Sequence, residues 1–129
     1  MKKLIIIFLL LPLLGRAQAH IGMTDSQIRA EHTSVSFKSD ETSKGVKYIS
    51  GDMGLGTFYY YFDNEGYSDF NMQIPYTMKD VNAQTEIYNS KYVILTDHSW
   101  KAYVNDGGIL FITLEYDKDN KIWIFYYSN

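Results

Sequence analysis

The chain is organised around the stretch 56–74, which reads GTFYYYF-DNEG-YSDFNMQI. Two runs rich in aromatic residues flank an acidic turn that contains Asn and Gly, a pattern that predicts a β-hairpin. A second stretch of the same kind, 109–127, reads ILFITLEY-DKDN-KIWIFYY. A shift of 54 positions superposes the two hairpins and places Phe62 on Tyr116. We therefore interpret the chain as two copies of one unit.

Each copy opens with a helix start. Thr24 and Gln27 form a capping-box pattern, and Thr77 with Asp80 offers the same geometry 53 residues later. Four predicted strands follow each helix. We expect an α+β fold, a tandem repeat of helix-plus-four-strand antiparallel units, 20–75 and 76–129. The units would form one curved sheet in one compact body, with the helices on one face.

The first 19 residues have the pattern of a secretory signal peptide. Lys2 and Lys3 precede an apolar run of 11 residues, and Ala17-Gln18-Ala19 supplies a small-residue cleavage site. A membrane-spanning helix needs about 20 apolar residues, so the run predicts export rather than anchoring. The sequence has no cysteine, hence no disulfide and no lipid-bearing N-terminus. We expect a bacterial protein that is periplasmic or secreted.

The charge balance argues against polyanionic partners. Residues 20–129 carry nine basic and 15 acidic side chains, a net charge of −6 with neutral histidines. Binding to a nucleic-acid backbone depends on clustered Lys and Arg, and so does binding to anionic lipid headgroups. We therefore expect neither nucleic acid nor a membrane surface as partner.

Side-chain alternation along the hairpins divides their residues between two faces. The residues that we expect in the core under the helices are Phe58, Tyr60, Phe62, Phe70, Met72, Ile74, Ile112, Leu114, Tyr116, Ile124 and Tyr126. The opposite face is unusually aromatic for a solvated surface. Its candidate binding residues are Tyr59, Tyr61, Tyr67, Phe111, Trp123, Phe125 and Tyr127. A strand slip of one residue would exchange the two faces.

The layout resembles the β-lactamase inhibitor protein fold. In that family, two helix-plus-four-strand units form one curved sheet whose open face binds a partner protein. The string Ile21-Gly22-Met23-Thr24-Asp25-Ser26-Gln27-Ile28 is also similar to the helix start of small envelope proteins of the BamE/SmpA type. The Leu-Gly pair expected after that start and the cysteines of both families are absent. The resemblance implies architecture and no ligand-contact residue, and a cystatin-like or other helix-on-sheet fold is the alternative.

No motif for catalysis, metal or cofactor stands out. His20, His32 and His98 have no metal-ligand spacing, and the acidic loops at 63–66 and 117–121 lack the full calcium-loop pattern. The glycine-rich segment 51–56 leads into a strand rather than a helix, so it does not predict a phosphate-binding loop. We therefore predict no catalytic residue, no metal site and no cofactor.

The aromatic face carries the functional prediction. Exposed apolar patches mark interaction sites, and Tyr and Trp are enriched in binding hot spots. We expect an exported non-enzymatic module that binds an envelope or secreted protein through this face. The alternatives are a carbohydrate or small-ligand binder on the same face, and a small hydrolase. Burial of the face, by another segment or in a homodimer, is the structural alternative.

Overall fold

The computed structural model describes residues 21–103 and 108–129. The predicted signal peptide and His20 lie outside these ranges, and so does most of the tight turn that the sequence Asp106-Gly107-Gly108 predicts. The described chain contains two helices, α1 (Asp25–Glu31) and α2 (Met78–Lys91). Neither helix is long and apolar enough to cross a membrane.

Eight strands form one open antiparallel sheet within the described residues. Their bounds are β1 Lys38–Glu41, β2 Lys47–Asp52, β3 Gly56–Phe62, β4 Ser68–Pro75, β5 Val93–Thr96, β6 Ser99–Tyr103, β7 Ile109–Asp117 and β8 Ile122–Ser128. The order across the sheet is β1-β2-β3-β4-β8-β7-β6-β5. The α+β class and the antiparallel sheet are therefore confirmed. The two sets of four strands meet where β4 pairs with β8.

Side chains cap both helices at the predicted threonines. The Thr24 hydroxyl accepts from the Gln27 backbone N–H, and the Gln27 side chain accepts from the Thr24 N–H at 2.9 Å, so the capping box is complete. At α2 the Thr77 hydroxyl accepts from the Asp80 N–H. There the hydroxyl also donates to the Asp80 carboxylate at 2.9 Å.

The main core lies between the helices and one face of the sheet. Its buried members are Ile28, Ile49, Phe58, Tyr60, Phe62, Val81, Tyr88, Trp100, Ala102, Leu110, Ile112, Leu114, Phe125 and Tyr127. Both helices contribute to this cluster, which identifies the covered side as the helix face. The opposite side is here called the open face. Burying large side chains of this kind stabilises the fold by about 1.5–3 kcal/mol each.

The predicted core of β3 and β7 is largely confirmed, whereas that of β4 and β8 is wrong in its face. Phe58, Tyr60, Phe62, Ile112 and Leu114 are buried in the helix-face cluster. Tyr116 shares their side but lies near the strand end and is exposed. The register places four other predicted core residues on the open face, which are Phe70, Met72, Ile74 and Tyr126. Ile124 also lies on that side, although it is buried there.

The parity of the cross-strand pairing explains this error, and it depends on the loop in the second hairpin and on a register shift in the first. Directly paired residues of antiparallel strands point to the same side of the sheet. Asp117 pairs with Ile122 across a loop with an even number of residues, 118–121. Even-numbered β7 residues therefore pair with odd-numbered β8 residues. In the first hairpin Tyr61 pairs with Phe70, after a register shift between Tyr61 and Phe62. Odd-numbered β3 residues therefore pair with even-numbered β4 residues, which is the same relation as in the second hairpin.

A glycine in β2 lets the preceding segment pack closely on the sheet. A Cβ at Gly51 would lie 2.6 Å from Cγ1 of Val35 and 2.9 Å from Cδ1 of Phe37. Phe37 in turn contacts Tyr60 with ring centroids 6.2 Å apart. The segment before β1 therefore extends the cover of the helix face.

Candidate binding face

A row of aromatic rings crosses four neighbouring strands on the open face. Tyr48 on β2 lies opposite Tyr61 on β3, which lies opposite Phe70 on β4. Tyr126 on β8 continues the row beside Phe70. Ring centroids along the row are 5.2 Å, 5.9 Å and 5.7 Å apart in that order. These four residues are here called the aromatic row.

The sheet register holds the row in place, and Tyr59 widens it. Tyr59 lies two residues before Tyr61 on β3, and its ring contacts Tyr48 at 6.2 Å. Each of the five rings is half-buried, with its remaining surface accessible to solvent. The backbone ladders of β2, β3, β4 and β8 fix their spacing, so these rings form a pre-ordered surface.

Acidic side chains flank both ends of the row. Asp40 lies opposite Tyr48 in the sheet, and burial together with the Asp40 charge raises the pKa of Tyr48. At the other end burial raises the pKa of Tyr126, and the charges of Glu115 and Asp117 add to the shift. Both phenols therefore stay neutral well above physiological pH. The row is an apolar surface with a negative rim.

A further carboxylate lies at the margin of the same face. Asp52 on β2 accepts hydrogen bonds from the Tyr76 hydroxyl at 2.8 Å and the Thr57 hydroxyl at 2.9 Å. These hydrogen bonds lower the pKa of Asp52. Asp52 is therefore ionised at neutral pH and adds a carboxylate to the rim, where Lys38 of β1 is a neighbouring cation.

Comparisons of the chain with protein-family models, with curated proteins and with solved structures found no match. The chemistry of the open face is therefore the basis for any functional inference.

Three of the predicted binding residues lie on the open face. Tyr59 and Tyr61 belong to the aromatic surface already described. Phe111 on β7 lies opposite Lys101 and Ser128 and is exposed. Tyr67 is exposed too, but it lies in the turn before β4 and forms an isolated bridge with Thr24. Tyr67 is therefore separate from the row.

The prediction that Phe125 and Tyr127 lie on an open face is wrong. Both side chains are fully buried on the helix face, where their rings contact Tyr88 of α2. Loop parity is again the reason, because it turns the odd-numbered β8 residues toward the helices. These two residues cannot contact a partner in the folded protein.

Trp123 lies on the helix side as well, near the end of β8. Its ring stacks on His98 with centroids 5.8 Å apart and an interplanar angle of 4°, and it contacts Tyr116 at 5.2 Å. It packs against the core and remains half-buried. Trp123 therefore forms a separate aromatic cluster, away from the row.

Sequence reasoning missed Tyr48, Phe70 and Tyr126. The predicted alternation places Phe70 and Tyr126 in the core because it takes the wrong parity for β4 and β8. The face of Tyr48 could be predicted from the sequence. Its strand must pair with β3, and alternation with Ile49 places Tyr48 on the face opposite the core. The sequence 122–127 reads IWIFYY, apolar or aromatic at both parities. Alternation therefore cannot tell the two faces of β8 apart.

The described residues hold no group of three or more His, Asp or Glu side chains placed to bind a metal ion. A shallow pocket of about 400 Å³ lies at the start of α1, lined by Thr24, Asp25, Ser26, Arg29, Glu65 and Gly66. Arg29 pairs there with Asp25. His32 contacts the ring of Phe37, and burial lowers the pKa of His32.

Proposed function

We propose that this chain is an exported, non-enzymatic binding module that holds another protein against the aromatic row. The observation that carries the proposal is the continuous run of half-exposed rings on the side of the sheet away from both helices. Large exposed aromatic surfaces are typical of binding sites. Tyr side chains supply contact area at low entropic cost, since they have only two side-chain torsions.

The geometry of the row favours a protein surface as ligand. Neighbouring rings are tilted by 38°, 45° and 35° along the row, so they interlock and present a broad, uneven apolar surface. Met72 on β4 lies opposite Tyr59, and Ile74 opposite Thr57 extends the apolar surface further along the strand. The acidic rim of Asp40, Asp52 and Glu115 matches a partner with an apolar centre and basic periphery. Such complementarity raises association rates and selects the partner.

We also propose that the chain is built on the tandem plan of the β-lactamase inhibitor protein fold. Positions 54 apart lie on matching faces in the two hairpins. Phe58 and Ile112 face the helices, and Phe70 and Ile124 lie on the open face. The meeting of β4 with β8 at the centre of the sheet supports the same plan. A duplicated scaffold would leave the open faces of the two halves free to diverge.

Crosslinking capture from the native envelope tests the binding role. The tagged protein should capture a specific partner, and Phe70→Ala or Tyr61→Ala should reduce capture at least about tenfold, which corresponds to 1.4 kcal/mol. Both changes remove a half-buried ring that lies outside the main core, so the fold should survive. Circular dichroism would check this. Tyr67→Ala is the matched control, since it removes an exposed tyrosine that lies off the row.

Two results would contradict the proposal. One is equal capture by the Phe70, Tyr61 and Tyr67 variants, which would place the contact elsewhere. The other is loss of the fold in the Phe70 and Tyr61 variants, which would make the row part of the core.

A carbohydrate is the second candidate ligand. Sugar rings stack on aromatic side chains, and Asp40 beside Tyr48 could accept hydrogen bonds from sugar hydroxyls. A glycan panel distinguishes the two ligand classes. A carbohydrate binder would respond to soluble glycans in a Tyr48-dependent manner and would capture no protein.

A further inference from the structure

The two edges of the sheet differ sharply in chemistry. Edge strands expose unpaired backbone groups, and proteins commonly protect them with charged side chains. The β1 edge follows this rule, since its sequence is Lys-Ser-Asp-Glu and all four residues are exposed. The β5 edge reads Val-Ile-Leu-Thr, without a charge, and is equally exposed. One edge carries charges that oppose pairing and the other carries none, and β5 has instead a register shift between Ile94 and Thr96.

The β5 edge presents exposed apolar side chains at the end of the described sheet. Val93 is 44% exposed, Ile94 55% and Leu95 48%. Among the strands of residues 21–103 and 108–129, β5 pairs only with β6, and Leu95 has no partner in that register. An apolar edge of this kind is a site for strand addition.

The residues that flank β5 make this edge complementary to itself. Lys91 ends α2 on one side, and Asp97 follows β5 on the other, and both are exposed. In an antiparallel pairing of two copies centred on Ile94, Val93 lies opposite Leu95 of the second copy. Because the two strands run in opposite directions, the Lys91 end of each copy lies beside the Asp97 end of the other, twice by symmetry.

We propose that two copies of this chain associate through β5, antiparallel and centred on Ile94. The interface is isologous, with a two-fold axis perpendicular to the sheet. It joins the two sheets into one and keeps the open faces of both copies on the same side. This inference does not rest on the proposed function, because the aromatic row lies on other strands.

Charge reversal at the flanking positions tests the contact and its antiparallel direction. We expect the purified protein, expressed from the full-length sequence, to show a concentration-dependent dimer in sedimentation velocity. Lys91→Asp alone and Asp97→Lys alone each place two like-charged pairs across the interface. Each variant should weaken self-association at least about tenfold.

Recombining the charges should restore the contact. An equimolar mixture of the two single variants should form a heterodimer, since every Asp then faces a Lys. The double variant K91D/D97K should again dimerise with itself. Lys38→Asp makes the same charge change on the β1 edge and should leave the dimer unaffected.

A monomeric protein over about two decades of concentration would overturn the proposal. So would single variants that dimerise as the unmodified protein does. Failure of both the mixture and the double variant to recover association would also overturn it. Recovery in the mixture excludes a folding defect as the cause of dissociation in the single variants.

Discussion

At the residue scale, a chain of buried polar groups ties α2 to the centre of the sheet. The Tyr127 hydroxyl donates to Oε1 of Gln73 at 3.0 Å and shares a short hydrogen bond with the Tyr88 hydroxyl. The Gln73 amide in turn donates to Oε1 of Gln84 at 3.5 Å. These side chains lie on β8, β4 and α2 and are almost fully buried. Tyr127 therefore joins the two halves of the sheet to a helix.

Removal of the Tyr127 hydroxyl should destabilise the fold. Tyr127→Phe leaves Gln73 Oε1 and the Tyr88 hydroxyl without this partner in a buried site, at a cost of about 1–3 kcal/mol. Urea denaturation measures the loss. Tyr126→Phe is the matched control, because its ring lies on the open face, and its effect should stay within about 0.5 kcal/mol. Equal effects of the two changes would contradict the buried role of Tyr127.

At the element scale, the loop between β7 and β8 determines on which face of the sheet each β8 side chain lies. The Asp117 carboxylate stabilises the loop. It accepts hydrogen bonds from the backbone N–H groups of Asp119 at 3.0 Å and Asn120 at 3.2 Å. The Asn120 side chain and these N–H groups lower the pKa of Asp117. Lys121 closes the loop with φ of 57°, in the left-handed region that a Cβ disfavours.

A glycine at the strained position should stabilise the hairpin. Lys121→Gly relieves the left-handed backbone, and the gain, after the greater chain entropy of glycine, should be up to about 1 kcal/mol. Thermal unfolding should show a higher midpoint. Lys118→Gly is the control, since the described backbone has no positive φ there, and it should lower the midpoint or leave it unchanged. A lower midpoint for Lys121→Gly would show that its conformation is not strained.

At the scale of the whole molecule, burial of tyrosine makes stability depend on alkaline pH. Tyr88 and Tyr127 are fully buried, and desolvation raises the pKa of both phenols far above the usual 10.0. The folded state therefore holds these protons more tightly than the unfolded chain. Their contribution to stability is complete below pH 10 and is lost as pH rises above the unfolded pKa.

Alkaline titration should therefore couple ionisation of the buried tyrosines to unfolding. Tyr88 and Tyr127 should ionise only together with loss of the fold, because desolvation raises the pKa of both phenols. Tyrosinate absorbance and circular dichroism, recorded on one sample, measure the two events. Complete ionisation with an intact fold would show that Tyr88 and Tyr127 are not buried.

Much of the fold could be predicted from local signals. The capping residues Thr24 and Thr77 locate both helix starts, and the acidic turns at 63–66 and 117–120 locate two hairpins. The alternation of Phe58, Tyr60 and Phe62 also identifies their shared face. These features depend on residues close in sequence, whose backbone preferences and side-chain hydrogen bonds act locally.

Only the tertiary structure decided which rings are open to solvent. The sequence by itself determined that the chain has more aromatic strand residues than one core face can hold. It could not assign Phe70, Tyr126, Phe125 and Tyr127 to their faces, because both parities of these strands are rich in apolar or amide side chains. The assignment depends on the cross-strand register, which loop parity and the packing of α2 establish together. The aromatic row is therefore a product of pairing between distant strands.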